Sequence, residues 1–532
     1  MTTVVRPLHT AVSSPLRIDA RRPRTAQRSL AGVALAALLT VMALGVPAVP
    51  AYAAGTITVN TTVDEPGAGA NCSLREAVQS ANNNANFGGC ALSGTQPFTI
   101  NLGAGTFQLT IAGANEDVNA TGDLDIRASG TIIAGAGAAS TTIQQTTADR
   151  VIDINPTVAA SFSAGISNLR IMGGNTNSPF GGGGILAGDS NGAGTVTLNG
   201  VTVDGNTASA GAGGGINLAS RGNLVITNST IANNTASSTG SGQGGGIYFL
   251  AQGPEQLTIT NSAISGNRAA YTADAGGGLH ASATGGTVTI QRTHFVDNKA
   301  ANAGLVATGT GGAIANTNGT LTVSFSRFVG NVATSGSGIF QVAGGGSTTA
   351  NDNWWGINTG PGAGVLAGSA APTATSWLQL RHSASPASIP ASTSTTLTAD
   401  LLGLNTGGST AAANLTSLPP FPSPAGTIFS NPVLGTLSGA GIQFASGQAG
   451  AIYNAGGAPG AGSADATADG QTVTATITVQ NPTAVTLTAF SGRSSSDSRP
   501  GLWLLAGLAV GVGGLWLGRR RRLVRVRAGD EH

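Results

Sequence analysis

The chain has 532 residues, of which 40% are hydrophobic, 9% charged and 4% aromatic, with 82 Gly and 22 Pro. That apolar share can bury a core, Gly plus Pro stay below the level of a disordered chain, and Ala, Val, Ile and Leu fall in short alternating runs that suit β layers rather than amphipathic helices. The net charge of +2 comes from basic ends, six arginines up to Arg28 and six from Arg519 to Arg527; Ala54 to Ser498 carries 11 Lys+Arg against 19 Asp+Glu, an acidic balance that argues against a nucleic-acid partner.

Residues 1–53 read as a long secretory signal: basic to Arg28, apolar from Leu30 to Val46, with Ala51-Tyr52-Ala53 offering a small-residue cleavage site. In an exported chain Cys72 and Cys90, 18 residues apart, can form a disulfide, with free thiols as the alternative. Ser73 and Glu76 form an S-x-x-E capping box, and Leu74, Ala77, Val78 and Ala81 then share one helical face. The spacing predicts a helix over 73–84, inside an N-terminal cap of 54–97 that covers the raw first coil of a β-helix.

Further along, Glu116, Asp117, Asp123 and Asp125 gather near Arg127. On a strand Asp123, Asp125 and Arg127 share a face that could bind an ion or a sugar. A solvated outer face is the expectation, because acid–base chemistry also needs a pocket.

Residues 98–372 read as the coil region, and between Gly181 and Asn331 one unit recurs five times. Glycine runs end in an aliphatic residue at Ile185, Ile216, Ile247, Leu279 and Ile314, spaced by 31, 31, 32 and 35 residues. Threonine-rich alternation comes after each run, then an apolar-x-x-Asn signature ending at Asn206, Asn234, Asn267, Asn298 and Asn331. A fixed period in this range means stacked repeats. Each unit supplies about three short strands, and stacking them buries one aliphatic column. Leu224, Ile226 and Ile231 should point inward, with Val225, Thr227 and Thr230 outward. The equivalent asparagines would then lie in file and hydrogen-bond as a ladder. The predicted fold is all-β, a right-handed parallel β-helix of the pectin-lyase-like solenoid type.

Trp354 and Trp355 stand where the period stops. A plug for the far end of the core is favoured over a sugar-stacking platform. Residues 373–490 break the period with prolines at 419, 420, 422 and 424 and with strands such as Thr395–Leu401 and Thr472–Val479. They read as a small Ig-like β-sandwich serving as a spacer, with a disordered stalk as the alternative. A polar linker, 491–500, leads to 18 uncharged residues, 501–518, and a basic tail, 519–532. That span can just cross a bilayer as one transmembrane helix, with Trp503 and Trp516 near its ends and the arginines cytoplasmic.

Several of these segments resemble known families. Gly311-Gly312-Ala313-Ile314, Phe295-Val296-Asp297-Asn298 and Phe328-Val329-Gly330-Asn331 resemble the GGA(I/L) and FxxN repeats of polymorphic outer-membrane proteins and related right-handed β-helices. Cys72-Ser73-Leu74-Arg75-Glu76-Ala77 is identical to the motif that names the CSLREA domain of bacterial surface proteins. Asn351-Asp352-Asn353-Trp354-Trp355-Gly356 is similar to the NNWWG segment that closes such β-helices. The tail resembles the sorting tails of bacterial surface proteins but lacks an LPxTG-like signal, so a plain membrane anchor is expected. The outer-membrane families end in a β-barrel, whereas this chain ends in one apolar segment, so autotransport is not.

Pectin-degrading enzymes share the architecture, but fold does not give function. The body between the ends holds one lysine, Lys299, and three histidines, His280, His294 and His382. No polygalacturonase-like or pectate-lyase-like residue set is recognisable, and no His, Cys or carboxylate spacing resembles a metal site. His294, beside Phe295, reads as a surface turn residue. No catalytic residue, cofactor or metal is therefore expected. The expected role is a structural or adhesive protein at the cell surface, meeting glycans or other cells; the alternative is a polysaccharide lyase or hydrolase.

Overall fold

The computed structural model describes residues 55–481, apart from 68, 115, 155–161, 189–193, 220–221, 343, 345, 371 and 423–427. The expected signal segment, linker, transmembrane span and basic tail lie outside the described residues. Among the described residues no helix is long and apolar enough to cross a membrane.

The alternating segments form short strands that pair in parallel with the equivalent segment one coil away. One ladder runs through Leu124–Ile126, Ile152–Ile154, Ile185–Ala187, Ile216–Leu218 and Ile247–Ala251, then on through later coils to Leu366–Gly368. A second runs from Gly55–Thr58 through Phe98–Asn101, Thr195–Asn199 and Asn223–Thr227 to Ser347–Thr349. A third passes from Gly105–Leu109 through Thr202–Asp204 and Thr230–Ala232 to Arg327–Val329. Two long strands, Leu279–Gln291 and Ile314–Ser324, run from the first ladder into the second, with their mutual register shifting between Ala281 and Thr287.

Register is what makes the core. Ile185, Ile216, Ile247, Leu279, Ile314 and Ile339 stand above one another, and so do Val203, Ile231, Ile264, Phe295 and Phe328. Leu224, Ile226 and Ile231 are fully buried while Val225, Thr227 and Thr230 are half-exposed, so a period of two sets the inward and outward faces.

The glycine runs have a backbone cause. Gly213, Gly244, Gly276 and Gly311 sit at φ of 67°, 63°, 61° and 71°. A Cβ on them would come within 2.3–2.6 Å of the carbonyl oxygen of Ile216, Ile247, Leu279 or Ile314. Only glycine fits there.

After the coils, the chain builds two four-stranded sheets over a shared core that includes Leu397, Phe421, Tyr453 and Ile477. One sheet joins Leu378–Ser385, Ser394–Leu404, Gln448–Ala455 and Gly435–Ser438; the other joins Ser388–Pro390, Gln471–Gln480, Gly460–Ala468 and Phe429–Val433.

Candidate functional site: carboxylates beneath the first helix

Helix α1 spans Leu74–Asn83. Ser73 Oγ accepts the Glu76 N–H at 3.3 Å and Glu76 Oε2 accepts the Ser73 N–H at 3.0 Å, while Asn84, left-handed at φ 51°, closes the far end. Leu74, Ala77, Val78 and Ala81 enter the coil core, none more than 3% exposed. A disulfide joins Cys72 to Cys90.

Two polar side chains of α1 bond the start of the first ladder. Buried Arg75 makes a two-point pair with Asp64, at 2.8 and 3.2 Å, and donates to the carbonyl oxygens of Gly122 and Asp123, each at 2.8 Å, and of Thr121 at 3.3 Å. Asn82 donates to the Asp125 carbonyl at 2.7 Å and accepts from the Arg127 and Ala128 N–H groups at 2.8 and 3.1 Å. It thus occupies hydrogen-bonding positions that another strand would use. Neither role was readable in the sequence, because the partners lie tens of residues from the helix.

Under this lid the acidic cluster departs from expectation. Asp123 and Asp125 are 1% and 0% exposed, not on a solvated face. Backbone groups of 119–123 fold against them, and α1 and its contacts close the edge above. Asp125 Oδ2 accepts the Asn119 N–H at 2.6 Å, while its Oδ1 is shut from solvent with no hydrogen-bond partner. Asp153 pairs in register with Asp125 on the next coil. Arg150 Nη1 lies 2.7 Å from Asp153 and 3.4 Å from Asp123. Asp149 accepts from the backbone N–H of Arg150 at 2.8 Å and of Asp123 at 3.1 Å. Glu116 turns to its own loop, accepting the Ala120 and Thr121 N–H groups, both at 2.6 Å.

Crowding shifts these groups. Burial, then the Asp125 and Asp149 carboxylates, holds Asp123 well above the usual carboxylate range. Burial pushes Asp125 up to about 8 against the opposing Asn119 hydrogen bond, with Asp153 adding to the rise. Asp149 is raised by burial as well. For Arg150 burial acts downward, but the surrounding carboxylates, Asp153 foremost, outweigh it and raise the group. Oxygens of Asp117, Asp125 and Asp153 all lie within 4.8 Å of one another. Sequence spacing gathered Asp117 with Asp125 but missed Asp153, which stands one coil on.

The asparagines of the repeat are in file. The Nδ2 groups of Asn206, Asn234, Asn267 and Asn298 each donate at 3.0 Å to Oδ1 of the next, ending at Asn331. Each accepting oxygen also takes the backbone N–H of the asparagine before it, at 3.0–3.2 Å. A second polar row went unread: Ser229 Oγ accepts the Val201 N–H, Ser262 Oγ accepts that of Ser229, and Ser326 Oγ accepts that of Thr293, all at 3.1 Å. Its signal was a Ser or Thr two residues before each of Ile231, Ile264, Phe295 and Phe328.

At the far end the tryptophans part. Trp355 stacks on Phe328 at 4.7 Å, which stacks on Phe295 at 5.0 Å. Trp354 belongs instead to the core of the two-sheet region and donates to Asp469 Oδ2 at 2.7 Å. Asp469 also holds Arg327 at two points, and the Arg327 guanidinium lies 4.6 Å from the Phe421 ring centre. His294 is no surface turn residue. It is 5% exposed, because Pro419, 125 residues on, accepts from its Nε2 at 2.6 Å and Phe421 packs edge-on against it. Burial, then the Arg327 charge, lowers it to about 4. His280, fully buried and hydrogen-bonded through Nδ1 to the Asp274 carbonyl at 2.7 Å, is also lowered to about 4 by burial.

One of the comparisons with known proteins bears on architecture. No curated protein matches the chain. Among solved structures, the Geobacillus virus E2 protein ORF18 is similar over 85% of this chain and 80% of its own, at 11% identity and a TM-score of 0.31, a likeness too distant to carry an argument. The family model described as "Right handed beta helix region" matches residues 152–354. With the ladders above, that makes the coil a right-handed parallel β-helix.

Proposed function

We propose that the chain is a bacterial surface scaffold, exported by residues 1–53, anchored by 501–518 and holding its β-helix outward to bind glycans or similar surface polymers. The observation that carries this reading is the outward face of the second ladder. From Ser163 to Thr349 its outward positions include Thr195, Thr197, Thr258, Thr289 and Thr322, with Asn, Gln, Ser, Gly and Val at the others and no charged residue. Regularly spaced hydroxyls and amides on a rigid face suit a polymer of repeating hydroxyl groups.

In this reading α1 and the CSLREA-like motif are the near cap, Trp355 is the far plug, and 373–490 is an Ig-like spacer between coil and membrane. Support comes from the edge contacts of Arg75 and Asn82, from the Phe295–Phe328–Trp355 stack and from the two sheets over one core. The GGA(I/L) and FxxN resemblance points to the same class of surface protein.

The enzymatic alternative has one observation behind it, the meeting of Asp123, Asp153 and Arg150. These residues are no more than 5% exposed, so a polymer cannot reach them as they stand. A glycan array and a uronate-polymer cleavage assay on the full chain separate the readings. Binding without cleavage, lost in Thr258→Glu/Thr289→Glu, is expected; turnover abolished by Asp153→Asn would replace the scaffold with the enzyme.

A further inference from the structure

Asp125 presents a physical problem that the scaffold reading does not address. Its Oδ1 is sealed from solvent without a hydrogen-bond partner, and no cation pairs with it among the described residues. A buried carboxylate in that state demands either a proton or a positive charge. The neighbouring carboxylates of Asp123 and Asp153 already share Arg150, and that single guanidinium cannot neutralise them all.

The geometry offers a positive charge a place. Oxygen ligands of one calcium ion stand about 2.3–2.6 Å from it, so any two of them lie within about 5 Å of each other. The oxygens of Asp117, Asp125 and Asp153 meet that condition, all within 4.8 Å. All three donors are hard oxygens, the ligand type calcium and magnesium take. Two belong to successive coils and one to a loop, a mixed frame that tolerates calcium's loose geometry better than magnesium's strict octahedron. Asp117 is exposed, which leaves an entry path and room for water ligands.

We propose that Asp117, Asp125 and Asp153 bind one calcium ion, which fastens the loop before Leu124–Ile126 to the first two strands of the first ladder. This site goes beyond the surface-scaffold reading, and only the affinity range expected below rests on that reading.

The test uses the full chain, stripped with a chelator and then titrated with calcium chloride while heat release and thermal unfolding are followed. One calcium per chain and a midpoint rise of a few degrees by about 10 mM are expected, since extracellular modules bind in the 10⁻⁴–10⁻³ M range. Asp117→Asn, at an exposed position, should fold normally and bind at least about tenfold more weakly, because even outer partners of ligands cost that much. Asp125→Asn should lose the response. A midpoint indifferent to calcium, an Asp117→Asn chain that responds like the parent, or an equal response to magnesium would each overturn the assignment.

Discussion

The two ends of the β-helix solve one problem by opposite means. At the start, a helix brings polar side chains to an open strand edge: Arg75 to three carbonyl oxygens, Asn82 to one carbonyl oxygen and two N–H groups. At the finish, Trp355 continues an aromatic stack and a second body packs alongside through Arg327, Trp354 and Asp469. A parallel coil leaves unpaired backbone groups at its ends and open apolar surface at its cross-section. The first end meets both needs with one helix, whose Leu74, Ala77, Val78 and Ala81 fill the core while Arg75 and Asn82 bond the edge; the second divides them between an aromatic stack and a separate sheet region. Their sensitivities to mutation and to acid should therefore differ.

The largest break is expected at the first end. Arg75→Leu strands the buried Asp64 carboxylate and three carbonyl groups, and should cost about 5 kcal/mol in denaturant unfolding, the upper end for breaking a buried ion pair. Trp355→Ala should cost about 3 kcal/mol through the cavity it leaves, and hydrogen exchange should quicken in the last coils before the first.

Acid sharpens the contrast. His280 and His294 have folded-state values of about 4, below the ordinary 6.5, so the unfolded chain takes up protons first as pH falls. Their stabilisation is full above about pH 6.5 and is lost as pH drops toward 4, by up to about 3 kcal/mol for each. His294→Leu should flatten part of that slope in a pH series of unfolding midpoints, and the part lost should report on the far junction. In mid-coil, Asn234→Ala should cost about 2 kcal/mol, since it leaves the buried Asn206 N–H and amide without their acceptor. Thr258→Ala, on the outward face, should shift stability by no more than about 0.5 kcal/mol, so any loss of polymer binding it causes would be a loss of contact.

Coil architecture was legible because it is local and repeated. One strand's alternation and one glycine bend recur unit after unit, so the inward places of Ile231 and Leu224 come from spacing alone. What was hidden is long-range. Asp123 and Asp125 alternate along their strand like any solvated pair, and their burial comes from a loop and from α1, some 40 residues earlier. His294 looks like a turn residue until Pro419 and Phe421 arrive. The Ser229–Ser262 row is less regular than the asparagines, with Thr293 in one place, and hydroxyl residues are so common here that their phase did not stand out. The calcium trio was only two-thirds local, because Asp117 and Asp125 lie close in the chain whereas Asp153 becomes their neighbour only once a coil has closed.

The asparagine file has a direction: every link passes a side-chain donor from an earlier unit to a later acceptor, and each link resembles the one before it. A module inserted or deleted as a whole turn would meet the same partners above and below. Gene duplication could therefore lengthen or shorten this rod in steps of about 4.8 Å without redesigning its interior, making reach a quantity that evolution adjusts by counting.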